Sequence, residues 1–104
     1  MGTQAVRISD LTWPEYAART ADQSVVMLPV GALEQHGLHL PLSTDALIAE
    51  RLAEQLAARI NGLILPTLTY GARSLARSGG GEQFPGTVNL DGPTLIALTR
   101  DIIR

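Results

Sequence analysis

The sequence predicts an α/β fold with a mostly parallel sheet flanked by helices, because two short apolar runs bracket a helical pattern. The first run, Ser24 to Val30, is continuously apolar after its serine and reads as a strand buried on both faces of the sheet. The second, Leu63-Ile64-Leu65-Pro66, reads as a parallel strand reached by a right-handed crossover. Between them Ile48, Leu52, Leu56 and Ile60 recur at every fourth position beside Ala49, Ala53 and Ala57. Glu50, Arg51, Glu54, Gln55 and Arg59 take the other side, so an amphipathic helix packs on the sheet and Asn61-Gly62 ends it.

The flanking elements follow from local signals. Thr12 and Glu15 have the spacing of a capping box with Pro14 in the first turn, which predicts a helix from Trp13 to about Thr20. Trp13 and Tyr16 are expected to be its packing anchors. From Tyr70 to Gly86 five glycines and no sustained apolar period predict a long loop. Asp91 reads as the N-cap of a last helix whose apolar face is Leu95, Ile96, Leu98, Ile102 and Ile103. That apolar pattern is still running at Arg104, and a two-strand sheet with three helices leaves strand edges uncovered. Residues 1–104 are therefore expected to be the amino-terminal portion of a single, larger domain, with the sheet incomplete in this chain.

Composition excludes several classes of function. A net charge of −2 and the absence of Lys provide no basic patch, so neither nucleic acid nor an anionic membrane is an expected partner. Zero Cys removes disulfide frameworks and thiolate sites, in keeping with a reducing compartment. The amino terminus lacks the apolar segment of a secretory signal, and no apolar run reaches membrane-spanning length. The expectation is a soluble, cytoplasmic protein.

The chemistry is concentrated between Pro29 and Asp45. This run holds Glu34, His36, His39 and Asp45 together with two Pro and two Gly, on irregular backbone that follows a strand. Open α/β sheets place ligand sites at the carboxyl ends of their strands. In extended chain Glu34 and His36, two residues apart, point the same way, while Gln35 points elsewhere. Gly37 and Pro41 allow the loop to fold back and bring the Asp45 carboxylate to that pair. Carboxylates with imidazole and no thiolate suit zinc or manganese better than calcium or copper(I), and a carboxylate such as Asp45 has two oxygens with which to bridge two ions. Taken singly, each residue also suits a structural role: the acids as helix caps or dipole partners, a histidine as a hydrogen-bonded polar group.

The run Pro29 to Gly37, continuing through His39-Leu40-Pro41-Leu42 to Thr44-Asp45, resembles the amino-terminal signature of the creatininase (creatinine amidohydrolase) family. A second block, Ser78-Gly79-Gly80-Gly81, then Phe84-Pro85-Gly86-Thr87 and Leu90-Asp91-Gly92, is similar to the creatinine-hydrolysing members more than to the other branches. The resemblance runs from Leu11-Thr12-Trp13 to Arg104. It implies a three-layer α/β/α fold, a homo-oligomer, a small-molecule substrate and two divalent ions, zinc and/or manganese. It implies that Glu34 holds one ion, His36 the other, and Asp45 bridges them, with further ligands in a segment beyond Arg104, so that residues 1–104 alone are expected to be a poor catalyst. The implied reaction is metal-assisted hydrolysis of a cyclic amide, creatinine to creatine, reversibly.

His39 is read as fixing the loop or orienting a ligand. Ser78, with Gly79 and Gly80, corresponds to a substrate-contacting position; a surface turn is the equal alternative. Other readings stay open: a family amidohydrolase acting on a formamide or as a peptidase in peptide-cofactor maturation, or a non-catalytic metal-binding module.

Overall fold

The computed structural model describes residues 6–22, 24–73 and 83–104. The elements run β1 (Val6–Arg7), a 3₁₀ turn (Ile8–Asp10), α1 (Trp13–Thr20), β2 (Val26–Met27), α2 (Thr44–Ile60), β3 (Leu63–Ile64), β4 (Gly71–Ala72), β5 (Asn89–Leu90) and α3 (Gly92–Ile103). The strands form a three-stranded sheet in the order β1-β3-β2 and a two-stranded pair β4-β5, and every ladder is parallel. The α/β expectation therefore holds, with more strands than the sequence declares.

Leu63 and Ile64 are fully buried because β3 is the middle strand, covered on both faces and paired on both edges. The double burial expected of residues 24–30 belongs instead to β3. β2 is an edge strand among the described residues, and Val25, Val26 and Val30 are exposed. Register shows how the layers form. Arg7, Ile64 and Met27 lie side by side across the sheet, and paired residues of parallel strands share a face. Arg7 forms ion pairs with Glu50, at 2.8 Å, and with Glu54 on α2, so α2 covers that face. On the other face Tyr16 of α1 and Ile102 of α3 line a hollow with Val26, Leu28 and Leu65. Helices thus lie on both sides of the sheet.

The side that α2 turns to the sheet is shifted from expectation: Ala57 is buried as expected, but the leucine–isoleucine stripe beside it is not. Ala46 and Ala57 are its buried residues, whereas Ile48, Leu52, Leu56 and Ile60 are exposed. Glu50 and Glu54, expected on the outer side, face the sheet because Arg7 pairs with them. Alanine admits a closer approach of helix to backbone than leucine does, and the loop after β2 uses that space.

Local caps match the sequence. Thr12 and Glu15 form a reciprocal capping box, and Asn61 ends α2 in the left-handed region at φ 55°. Trp13 corrects the packing-anchor expectation: it is 82% exposed, at the first turn of α1, while Tyr16 carries the contact. Asp91 occupies the N-cap position of α3 without a capping bond, because its carboxylate accepts from Arg73 at 2.6 Å. Within the apolar face expected of α3, Ile96 and Ile103 are exposed. β4 begins inside the segment read as loop. Among the described residues no helix is long and apolar enough to cross a membrane.

Candidate metal centre

Beyond β2 the chain stays paired to the segment after β3. Leu68 N–H donates to Pro29 at 2.9 Å and Gly31 N–H to Leu68 at 2.8 Å, which carries the strand direction to the start of the ligand loop. Glu34 N–H donates to the Leu42 carbonyl at 3.2 Å and closes the loop. Thr44 donates to the Pro41 carbonyl from both its hydroxyl, at 2.6 Å, and its N–H, at 3.2 Å, turning the chain into α2. Asp45 is then in the first turn of that helix. The N-cap is Ser43, so Asp45 is not spent on capping and its carboxylate is directed back to the loop.

Glu34, His36 and Asp45 come together as a group: one ligand atom from each lies within 4.8 Å of the others. His36 Nε2 stands 3.2 Å from Asp45 Oδ1, and its Nδ1 stands 3.1 Å from the Glu34 carbonyl oxygen. With Nδ1–H donating to that carbonyl, the lone pair of Nε2 faces the Asp45 carboxylate. Metal-binding histidines need this arrangement, one ring nitrogen fixed by a carbonyl and the other free to coordinate. The Glu34 carbonyl is the main reason that the His36 pKa is raised above 6.5; the negative charges of Asp45 and Glu34 add to it, and partial burial opposes it. The surroundings favour a cation there. The side chains of His36 and Asp45 are 22% and 36% exposed, so the group is reachable from solvent. This donor set fits a divalent ion bound by oxygen and nitrogen.

The Gln35 side chain folds onto its own loop, with its Oε1 accepting from Gly37 N–H at 2.9 Å. His39 is exposed and outside the cluster. Ser78, Gly79 and Gly80 lie outside the described residues. A contact absent from the sequence reading joins the two conspicuous segments: Thr87 Oγ1 accepts from Gln35 N–H at 3.1 Å. The available signal was the Pro85-Gly86 turn beside it.

A family profile described as Creatinine amidohydrolase (Creatininase) matches residues 9–104. The chain belongs to the creatininase family. The creatinine amidohydrolase of Pseudomonas putida is 48% identical over 98% of this chain and 40% of its own length. A mycofactocin precursor peptide peptidase of Mycobacterium ulcerans (strain Agy99) is 32% identical over 94% of this chain and 37% of its own length. A mutant creatininase complexed with creatine superposes with a TM-score of 0.90 at 49% identity, over 95% of this chain and 39% of that one. Structures described as "Creatininase Mn" and as a mutant creatininase of "Zn-Zn type" match with TM-scores of 0.89 and 0.90, at 49% and 48% identity, over 95% and 97% of this chain and 39% and 40% of theirs. The chain thus spans about 40% of the length of the Pseudomonas creatininase that it matches.

Proposed function

We propose that residues 1–104 are the amino-terminal, metal-holding portion of a single creatininase-like domain whose activity is hydrolysis of the cyclic amide of creatinine to creatine. The observation that carries this reading is the convergence of Glu34, His36 and Asp45 within 4.8 Å. Glu34 would hold one zinc or manganese ion and His36 the second, with Asp45 as the residue that would serve both. Ions held in this way would supply a water acidified toward neutral pH and a Lewis acid for the amide oxygen. The chain itself supplies geometry. The Glu34 carbonyl fixes the His36 ring, α2 fixes Asp45, and the Leu42 carbonyl holds the backbone of Glu34. In the overall reaction the amide C–N bond breaks, hydroxyl goes to the carbonyl carbon and a proton to the released nitrogen.

The 48% identity to the Pseudomonas putida creatinine amidohydrolase supports creatinine as substrate, and Ser78, Gly79 and Gly80 are the residues proposed to contact it. A homo-oligomer in the cytoplasm completes the proposal, the first resting on family resemblance and the second on composition. A second reading, a peptidase acting on a peptide precursor, is favoured by the 32% identity to the mycobacterial peptidase and keeps the same three metal residues. Assay of the full-length, metal-loaded protein against creatinine and against precursor peptide separates them. Creatinine turnover is the expected result; peptide cleavage without it would replace the first reading by the second.

A further inference from the structure

The Phe84-Pro85-Gly86-Thr87 block packs against the ligand loop. Val88 N–H donates to the Leu33 carbonyl at 3.0 Å within an antiparallel bridge between the two residues. A regular antiparallel ladder continued from that bridge would set Gln35 opposite Gly86. Gly86 interrupts it: its φ of +88° takes the backbone out of the extended region. The Thr87 side chain stands in for the lost ladder carbonyl, with Oγ1 accepting from Gln35 N–H at 3.1 Å in a partly buried setting. Gly86 meanwhile lies against Leu42, whose Cδ1 would be 2.5 Å from a Cβ placed there. The Leu42 carbonyl in turn accepts from Glu34 N–H at 3.2 Å.

Gln35 is the residue between Glu34 and His36. Its backbone sets how far apart, and at what angle, the carboxylate and the imidazole are presented. We infer that Thr87 is a positioning residue for the metal centre: its hydroxyl holds the Gln35 N–H and thereby fixes the Glu34 and His36 pair. The inference rests on the metal reading of Glu34, His36 and Asp45 and extends it to a residue remote in sequence. Valine has nearly the shape of threonine without the acceptor, so Thr87→Val leaves a partly buried N–H without its partner. Serine restores the acceptor.

The test uses the full-length protein, stripped of metal and titrated with zinc alone and manganese alone in chelator-buffered solution, for wild type, Thr87→Val, Thr87→Ser and Glu34→Gln. Groups that orient metal ligands typically change affinity by about 10- to 100-fold. Expected is at least about a tenfold larger dissociation constant in Thr87→Val, a return to near wild type in Thr87→Ser, and a metal-free Thr87→Val that melts cooperatively, below wild type by no more than the loss of one partly buried hydrogen bond. An unchanged constant in Thr87→Val, or Thr87→Ser as weak as Thr87→Val, overturns the role of the hydroxyl while wild type and Glu34→Gln still differ. Equal binding by wild type and Glu34→Gln overturns the metal reading itself. If Thr87→Val does not fold, Thr87→Ala against Thr87→Ser makes the same comparison.

Discussion

Gly31 and Ala46 touch backbone to backbone: a Cβ placed on Gly31 would stand 2.5 Å from the Ala46 Cα and 2.6 Å from its nitrogen. This contact seats the first turn of α2, and with it Asp45, against the start of the ligand loop. Gly31→Ala should therefore displace that turn. The expected cost is about 1–3 kcal/mol by denaturant unfolding of the full-length protein, the usual range for overpacking, together with weaker metal binding. Unfolding indistinguishable from wild type would mean that the contact relaxes freely.

Asp45 bears on the metal most directly. Asp45→Asn keeps the shape of the side chain and its place in the first turn of α2, but removes the charge that faces His36 Nε2 at 3.2 Å. Metal content by elemental analysis and creatinine turnover should fall together in the full-length variant. Full activity at normal metal content would remove Asp45 from the site.

The middle strand should be the most sensitive part of the core. Ile64 is fully buried between helices on both faces, so Ile64→Ala should cost about 2–5 kcal/mol, read as a lowered denaturation midpoint at unchanged slope. A loss below about 1 kcal/mol would show that neighbouring side chains close the cavity.

The capping box of α1 provides a pH prediction of definite sign. The Glu15 pKa is lowered from 4.5 by the Thr12 N–H and then by the Thr12 hydroxyl, both of which favour the carboxylate. A carboxyl whose folded pKa is depressed stabilises the fold above its unfolded pKa, and that contribution is lost as pH falls through the folded value. The stability gap between wild type and Glu15→Gln should thus be constant at neutral pH and close on acidification below 4.5. Thermal melts of both proteins across that range check it; a gap that widens in acid would reverse the assignment.

What the sequence made legible was local. The capping box, the αL end of α2 at Asn61 and the carboxylate–imidazole cluster each lie within one short stretch, where spacing alone constrains geometry. Long-range choices were not legible. The helical pattern of α2 offers a side centred on Ala46, Glu50 and Ala57 and, next to it, a leucine–isoleucine side, and hydrophobicity favours the second. The structure packs the first, because Gly31 and Arg7 meet Ala46, Glu50 and Glu54. β1 and β4 are two residues each, too short for any period to declare them. The Thr87 to Gln35 bond joins residues 52 apart.

Elemental analysis of the full-length protein, purified without chelator, decides whether Glu34, His36 and Asp45 hold metal. Two zinc or manganese ions per chain, lost in Asp45→Asn, are the expected result. A folded protein that holds neither metal, and takes up neither when it is supplied, would contradict the reading of Glu34, His36 and Asp45 as a metal centre.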